Sequence, residues 1–166
     1  KIGVFTMQHG PGAENAFGGV AQAFADNVPI LLIPGGSTKR RVDVHPGFDA
    51  VPNYKHITKW AGRINTIERI PEMVSRAFTH LRHGRPGPVL LELPGDVGSA
   101  EVPGDIENYE PVKTYKSFAA SEDVRDIITA LLKAKKPIIV AGQGTLYAEA
   151  WDELIEFAEL VNIPVM

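Results

Sequence analysis

Apolar residues in this chain gather in short unbroken runs, and between those runs they recur every three to four positions. Residues 2–5, 29–33, 88–93 and 137–141 are runs of strand length, and 163–166 begins another. Runs without polar alternation suit strands buried on both faces, as in parallel sheets. Between them, Ala16, Val20, Ala23 and Phe24 keep helical spacing within 13–26, and Val74, Ala77, Phe78 and Leu81 do so within 70–83. Val124, Ile127, Ile128, Leu131 and Leu132 mark a helix over 122–134, and Trp151, Leu154, Ile155 and Ala158 one over 148–160. Pro71 and Gly84 bracket the second helix, and Ser121 reads as the N-cap of the third. Gly18 and Gly19 cost the first helix about 1 kcal/mol each against alanine, which points to close packing there. Residues 57–60 read as one more short strand. Strands alternating with helices predict an α/β fold, with parallel sheets and helices on both faces.

The texture changes between 94 and 120, where Pro94, Gly95, Gly98, Pro103, Gly104 and Pro111 stand among acidic residues. That composition predicts an extended linker, with a domain boundary near residue 100. Residues 1–98 then form one unit, 99–120 the linker and 121–166 the beginning of a second unit. Lys1 opens directly in a predicted strand and the chain stops in another, so a piece of a longer polypeptide is expected. Central parallel strands need neighbours on both edges.

Composition narrows the function classes. The 166 residues carry a net charge of −3, which gives no reason to expect nucleic acid or an anionic membrane. With no cysteine, thiol catalysis and disulfides are excluded. No apolar run approaches the ~20 residues that span a bilayer, and no secretory signal opens the chain, so the default expectation is cytoplasmic.

The candidate chemistry centres on the turn His9-Gly10-Pro11-Gly12, between the first strand and the first helix. Ligands of open α/β sheets bind at such carboxyl ends of strands. A phosphate cradle does not suit this turn. Pro11 removes one N–H donor, Glu14 would repel an anion, and no Gly-Lys-Ser/Thr or dinucleotide spacing is present. The residues allow either a side-chain-poor surface for a flat neutral ring or a plain structural turn. Residues 37–51, with Lys39-Arg40-Arg41, read as a solvated loop or as an active-site loop. His80 and His83 lack an acidic or thiol partner for a metal and read as surface residues near a helix C-terminus.

Several motifs occur in one order along the chain. They are His9-Gly10-Pro11-Gly12-Ala13-Glu14-Asn15, then Ala25-Asp26-Asn27-Val28-Pro29-Ile30 leading to Pro34-Gly35-Gly36, and Ile57-Thr58-Lys59-Trp60. Gly84-Arg85-Pro86-Gly87-Pro88, Leu91-Glu92-Leu93-Pro94-Gly95-Asp96-Val97, Lys136-Pro137-Ile138-Ile139-Val140-Ala141-Gly142-Gln143-Gly144 and Asn162-Ile163-Pro164-Val165 follow. The series resembles the acetolactate synthase-like branch of the thiamine diphosphate enzymes. The resemblance implies two partial doubly wound domains: the C-terminal part of a pyrimidine-binding domain over 1–98 and the start of a Rossmann-like middle domain over 121–166.

The resemblance also implies a chemistry. The cofactor is thiamine diphosphate with Mg²⁺, and FAD sits in the middle domain of some members. The substrate is a 2-oxo acid, decarboxylated or ligated, in a homodimer or tetramer. The pyrimidine rests on one subunit, and the diphosphate and metal on the last domain of another. By carry-over, His9, Gly10, Pro11, Gly12 and Asn15 are the cofactor-binding residues. His9 stands where synthases often carry a small residue, and it either contacts ligand or simply packs. The activating glutamate of the family lies before Lys1, so the resemblance assigns no catalytic residue or metal ligand here, and Glu14 is not its equivalent. The chain alone is expected to be inactive. Phe48-Asp49 stands out of register with the family's Phe-Gln-Glu, which leaves the substrate open. Two other readings stand beside this one: a non-catalytic α/β binding or interaction module, and a nucleotide-binding domain using Gly142-Gln143-Gly144. An acidic residue ending the strand that starts at Ile163 would favour the nucleotide reading.

Overall fold

The computed structural model describes residues 2–104, 109–115 and 117–166. These divide into two compact units, Lys1–Tyr115 and Lys116–Met166. The first unit is built on four parallel strands: β1 (Gly3–Met7), β2 (Ile30–Gly36), β3 (Trp60–Arg63) and β4 (Val89–Pro94), in the spatial order β1-β2-β4-β3. Leu31 pairs with Val89 and Leu32 with Leu90, and the same register returns at Gly35–Leu93 and Gly36–Pro94.

Period-2 alternation explains why β4 is apolar throughout. Val89 and Leu91 face a core with Leu31 of β2 and with Met73, Ala77 and Leu81 of α3 (Ile70–Arg82). Leu90 faces the opposite core with Leu32 of β2, Ala13 and Val20 of α1 (Pro11–Ala25), and Ala50 and Tyr54 of α2 (Ala50–Tyr54). Helices therefore cover both faces of the sheet, as expected. At the edge, β1 is exposed, with Val4 at 59% and Phe5 at 46%. Pro11 occupies the first turn of α1, where its missing N–H costs nothing. A short helix, α4 (Gly95–Gly98), follows β4.

Several local expectations are corrected. β3 begins at Trp60 rather than Ile57. The Ile57 N–H and the Thr58 hydroxyl both go to the Tyr54 carbonyl, at 3.1 and 2.8 Å, and so close a turn behind α2. Pairing starts only where the Lys59 N–H reaches the Pro88 carbonyl at 2.8 Å. β2 continues through Pro34 to Gly36, beyond the expected end at residue 33. Gly18 and Gly19 do not mark close packing within the chain, since a Cβ on either would meet nothing within 4 Å.

In the second unit, α5 (Ser121–Lys133) starts one residue early, so Ser121 is its first residue rather than its cap. Gly142 precedes a short helix, α6 (Gln143–Tyr147), where only a turn is expected. Glu149, in the left-handed region at φ 54°, breaks the helical path, and α7 (Trp151–Val161) begins after it. Residues 137–141 and 163–165 meet at one parallel bridge, Ile139–Val165. Residues 99–104, 109–115 and 117–120 carry no helix or strand; the rest of the expected linker, 105–108 and 116, lies outside the described residues. Among the described residues no helix is long and apolar enough to cross a membrane.

Candidate functional site

The carboxyl ends of the four strands converge on one polar cluster. The turn after β1 presents His9, and the end of β2 presents Ser37, whose hydroxyl lies 3.2 Å from His9 Nε2. Gly35 allows this approach, because a Cβ there would fall 3.2 Å from the His9 amide nitrogen. Gly10 takes φ 66° and ψ −106°, a conformation that suits glycine, and a Cβ on it would meet nothing within 4 Å. Gly12 differs. A Cβ there would sit 2.9 Å from Gln8 Cβ, so the turn itself demands this glycine.

Beneath this loop lies Glu92, only 1% exposed. It follows Leu90 by two positions on β4 and therefore points to the α1–α2 side of the sheet. Arg63, the last residue of β3, donates Nε–H to Glu92 Oε1 and, at 2.7 Å, Nη2–H to Asp49 Oδ1. The same Asp49 oxygen caps α2 by accepting from the Val51 N–H at 3.2 Å. Gly36 makes room for the carboxylate, since a Cβ there would fall 2.6 Å from Glu92 Cδ. One guanidinium thus joins two carboxylates from separate elements.

The charges follow from these surroundings. Burial pushes the Glu92 carboxyl above its usual range, and the Arg63 hydrogen bond only partly opposes this. Burial also works against the Arg63 charge, but its bonds to Glu92 and Asp49 outweigh that and hold the guanidinium above its ordinary value. A buried carboxyl of this kind retains a proton more readily than an exposed one and can serve as donor or acceptor.

A cavity of about 60 Å³ opens beside the cluster, lined by His9, Ser37, Arg41, Asp49, Arg63 and Glu92 among others. A wider one of about 350 Å³ adjoins it and shares His9, Ser37 and Arg41. Arg41 closes the short 3₁₀ turn Lys39–Arg41, which is tied to the start of α4 by the Lys39 N–H donating to Asp96 Oδ2 at 3.0 Å. Of the five residues singled out in the sequence, His9 alone lines these two cavities. Pro11 and Asn15 lie exposed at the start of α1. His80 and His83, expected on the surface, are half-buried at the far end of α3.

Arg63 and Glu92 carry no role in the sequence reading, and Ser37, Arg41 and Asp49 enter it only within the loop 37–51, read as solvated or as part of an active site. A signal existed for one of them: Glu92 is the single charge inside an apolar strand run, at the position parity predicts for a core face.

Residues 1–57 match the N-terminal TPP binding domain of the thiamine pyrophosphate enzymes, and 124–166 match their central domain. The chain is 35% identical over 168 residues to a glyoxylate carboligase of Escherichia coli O157:H7, covering 100% of this chain and 28% of that protein. It is 36% identical over 170 residues to an acetolactate synthase large subunit of Lactococcus lactis subsp. lactis, covering 100% and 30%. A probable acetolactate synthase large subunit of Methanocaldococcus jannaschii is 35% identical over 174 residues, covering 99% and 29%. The chain thus spans less than a third of the length of these relatives.

Proposed function

Because this chain belongs to the thiamine pyrophosphate enzyme family, we propose that it forms part of the cofactor-binding and central domains of an enzyme acting on 2-oxo acids, by decarboxylation, carboligation or both. The observation that carries this reading is the Gly10-Pro11-Gly12 turn at the carboxyl end of β1, inside the stretch that matches the cofactor-binding domain. In this proposal residues 1–98 are the C-terminal part of the pyrimidine-binding domain, 99–120 a linker and 121–166 the start of the middle domain.

The turn suits a flat ring. Gly10 is buried, yet a Cβ on it would meet nothing within 4 Å, and the turn around it is poor in side chains. In the proposed enzyme His9, Gly10, Pro11, Gly12 and Asn15 line the pyrimidine. The diphosphate and its Mg²⁺ are held by another domain of a partner subunit in a homo-oligomer, and a middle-domain FAD is a further option. Thiamine diphosphate, when bound, supplies a carbanion nucleophile for the carbonyl of a 2-oxo acid. The chain's own part is to orient and polarise. Ser37 holds the His9 ring, Arg63 fixes Glu92 beneath it, and Arg41 at the cavity mouth offers a cation to a substrate carboxylate.

The test uses the full-length polypeptide that contains these residues. Thiamine diphosphate and Mg²⁺ are added, and consumption of pyruvate and of glyoxylate is followed with release of carbon dioxide. Cofactor-dependent turnover supports the reading. Cofactor binding with no turnover of any 2-oxo acid overturns it. His9→Ala is expected to change turnover more than cofactor affinity. The 166-residue chain alone is expected to bind the cofactor more weakly than micromolar, because about −8 kcal/mol needs the phosphate anchor.

A further inference from the structure

A second cavity, of about 330 Å³, lies at the opposite, amino end of the sheet, where α1 and α3 both finish. Its polar walls are Lys59, His80, His83 and Arg85 together with Asn27 and Thr79, and among the described residues no acidic one lines it. In a chain with a net charge of −3 this is a local inversion of sign.

The donors are held in place but not used up. Lys59 Nζ donates to the carbonyls of His80 and of His83, the latter at 2.8 Å, and so closes the C-terminal end of α3. An ammonium has three N–H donors, so one is left over. Arg85 donates Nε–H to Asn27 Oδ1, a neutral amide, and keeps the rest of its fork. His80 stacks on Trp60, with ring centroids 5.5 Å apart and planes 11° apart. Its imidazole is held below the ordinary histidine value, first by burial and then by the Lys59 and Arg76 charges. Phe24 and Pro86 supply an apolar wall.

We propose that this cavity is a binding site for a phosphate monoester with a small apolar body, Lys59 and Arg85 receiving the phosphate and Phe24 and Pro86 the body. A planar guanidinium fork beside an ammonium matches the geometry of phosphate oxygens. The volume is that of a small-ligand pocket. This inference is independent of the thiamine diphosphate reading, since no residue is shared with the site at the carboxyl ends.

Trp60 provides the readout. The Trp151→Phe chain leaves Trp60 as its one tryptophan, and phenyl phosphate, inorganic phosphate and benzyl alcohol are titrated against its fluorescence. Phenyl phosphate is expected to give a saturable change at millimolar concentration or below. Inorganic phosphate should bind at least about tenfold more weakly, and benzyl alcohol should give no change. Arg85→Gln is expected to weaken phenyl phosphate about tenfold while leaving the melting temperature of the free chain unchanged. The proposal is overturned if phenyl phosphate gives no saturable change in fluorescence or calorimetry. Equal affinity for inorganic phosphate, or an undiminished response in Arg85→Gln, overturns it as well.

Discussion

The phenol of Tyr54 donates its hydrogen bond to the backbone carbonyl of Ala13, 41 residues away in the first turn of α1. Phe17 and Phe48 pack edge-on to the same ring, with centroids at 5.2 and 6.4 Å. One buried side chain therefore fixes the start of α1, and with it the His9-to-Gly12 turn, against α2. Tyr54→Phe keeps the ring and removes the bond. We expect a loss of about 1–2 kcal/mol in urea denaturation, with faster amide exchange at residues 10–14. An unchanged midpoint and exchange rate would show that ring packing alone holds the turn.

The two glycines of the turn should respond differently. Gly10→Ala meets no neighbour but is forced into an unfavourable backbone conformation, at a cost of about 1–3 kcal/mol. Gly12→Val collides with Gln8 and should destabilise the chain more than Gly12→Ala does. Thermal melts of the three variants decide this. A fully stable Gly12→Val would show that the turn can open around the added carbons.

Glu92 predicts a pH dependence. Burial raises its folded pKa above the unfolded value, so the folded chain holds that proton more tightly. The stability this group contributes is complete below the unfolded pKa and is lost as pH rises through the folded one. Glu92→Gln has no such loss and keeps the Arg63–Asp49 pair. Relative to the original chain, its melting temperature should therefore improve as pH rises above the ordinary carboxylate range. A variant that falls steadily behind as pH rises would mean that pairing with Arg63 outweighs burial.

Gly18→Ala and Gly19→Ala should each stabilise the chain by about 0.4–1 kcal/mol, because both lie within α1 with open space around them. Chemical denaturation of the single variants measures it. A loss of stability at either position would reveal a contact that the folded chain makes there.

The sequence was legible wherever one local pattern settles the structure. The apolar runs at 29–33 and 88–93 marked the central strands because both faces of each are covered. The stripe Val74, Ala77, Phe78 and Leu81 found α3, although Met73 is more deeply buried than Val74. Legibility fell where a distant partner decides. Pro34 and Gly35 look like punctuation, yet β4 draws them into the ladder. The segment 57–60 is split by bonds to Tyr54 that no periodicity announces. In the site, His9 was legible from its turn, whereas Asp49, Arg63 and Glu92 lie 14 and 29 residues apart and meet only through tertiary packing.

The register of the central pair has a consequence for how the chain acquires its structure. β2 and β4 are partners 58 positions apart, as in Leu31 with Val89, and β4 supplies Val89 and Leu91 to one core and Leu90 to the other. Neither core can be completed until that distant strand arrives, so the closure entropy of this long loop weighs against folding before either core can repay it. During synthesis β1, α1 and β2 would leave the ribosome before their central strand, β4. Shortening the connection between α3 and β4 would gain almost nothing, since closure entropy varies only with the logarithm of loop length. Strengthening α3 as an autonomous helix would instead place a ready-made surface beside β4 and speed folding, with little effect on how fast the finished structure comes apart.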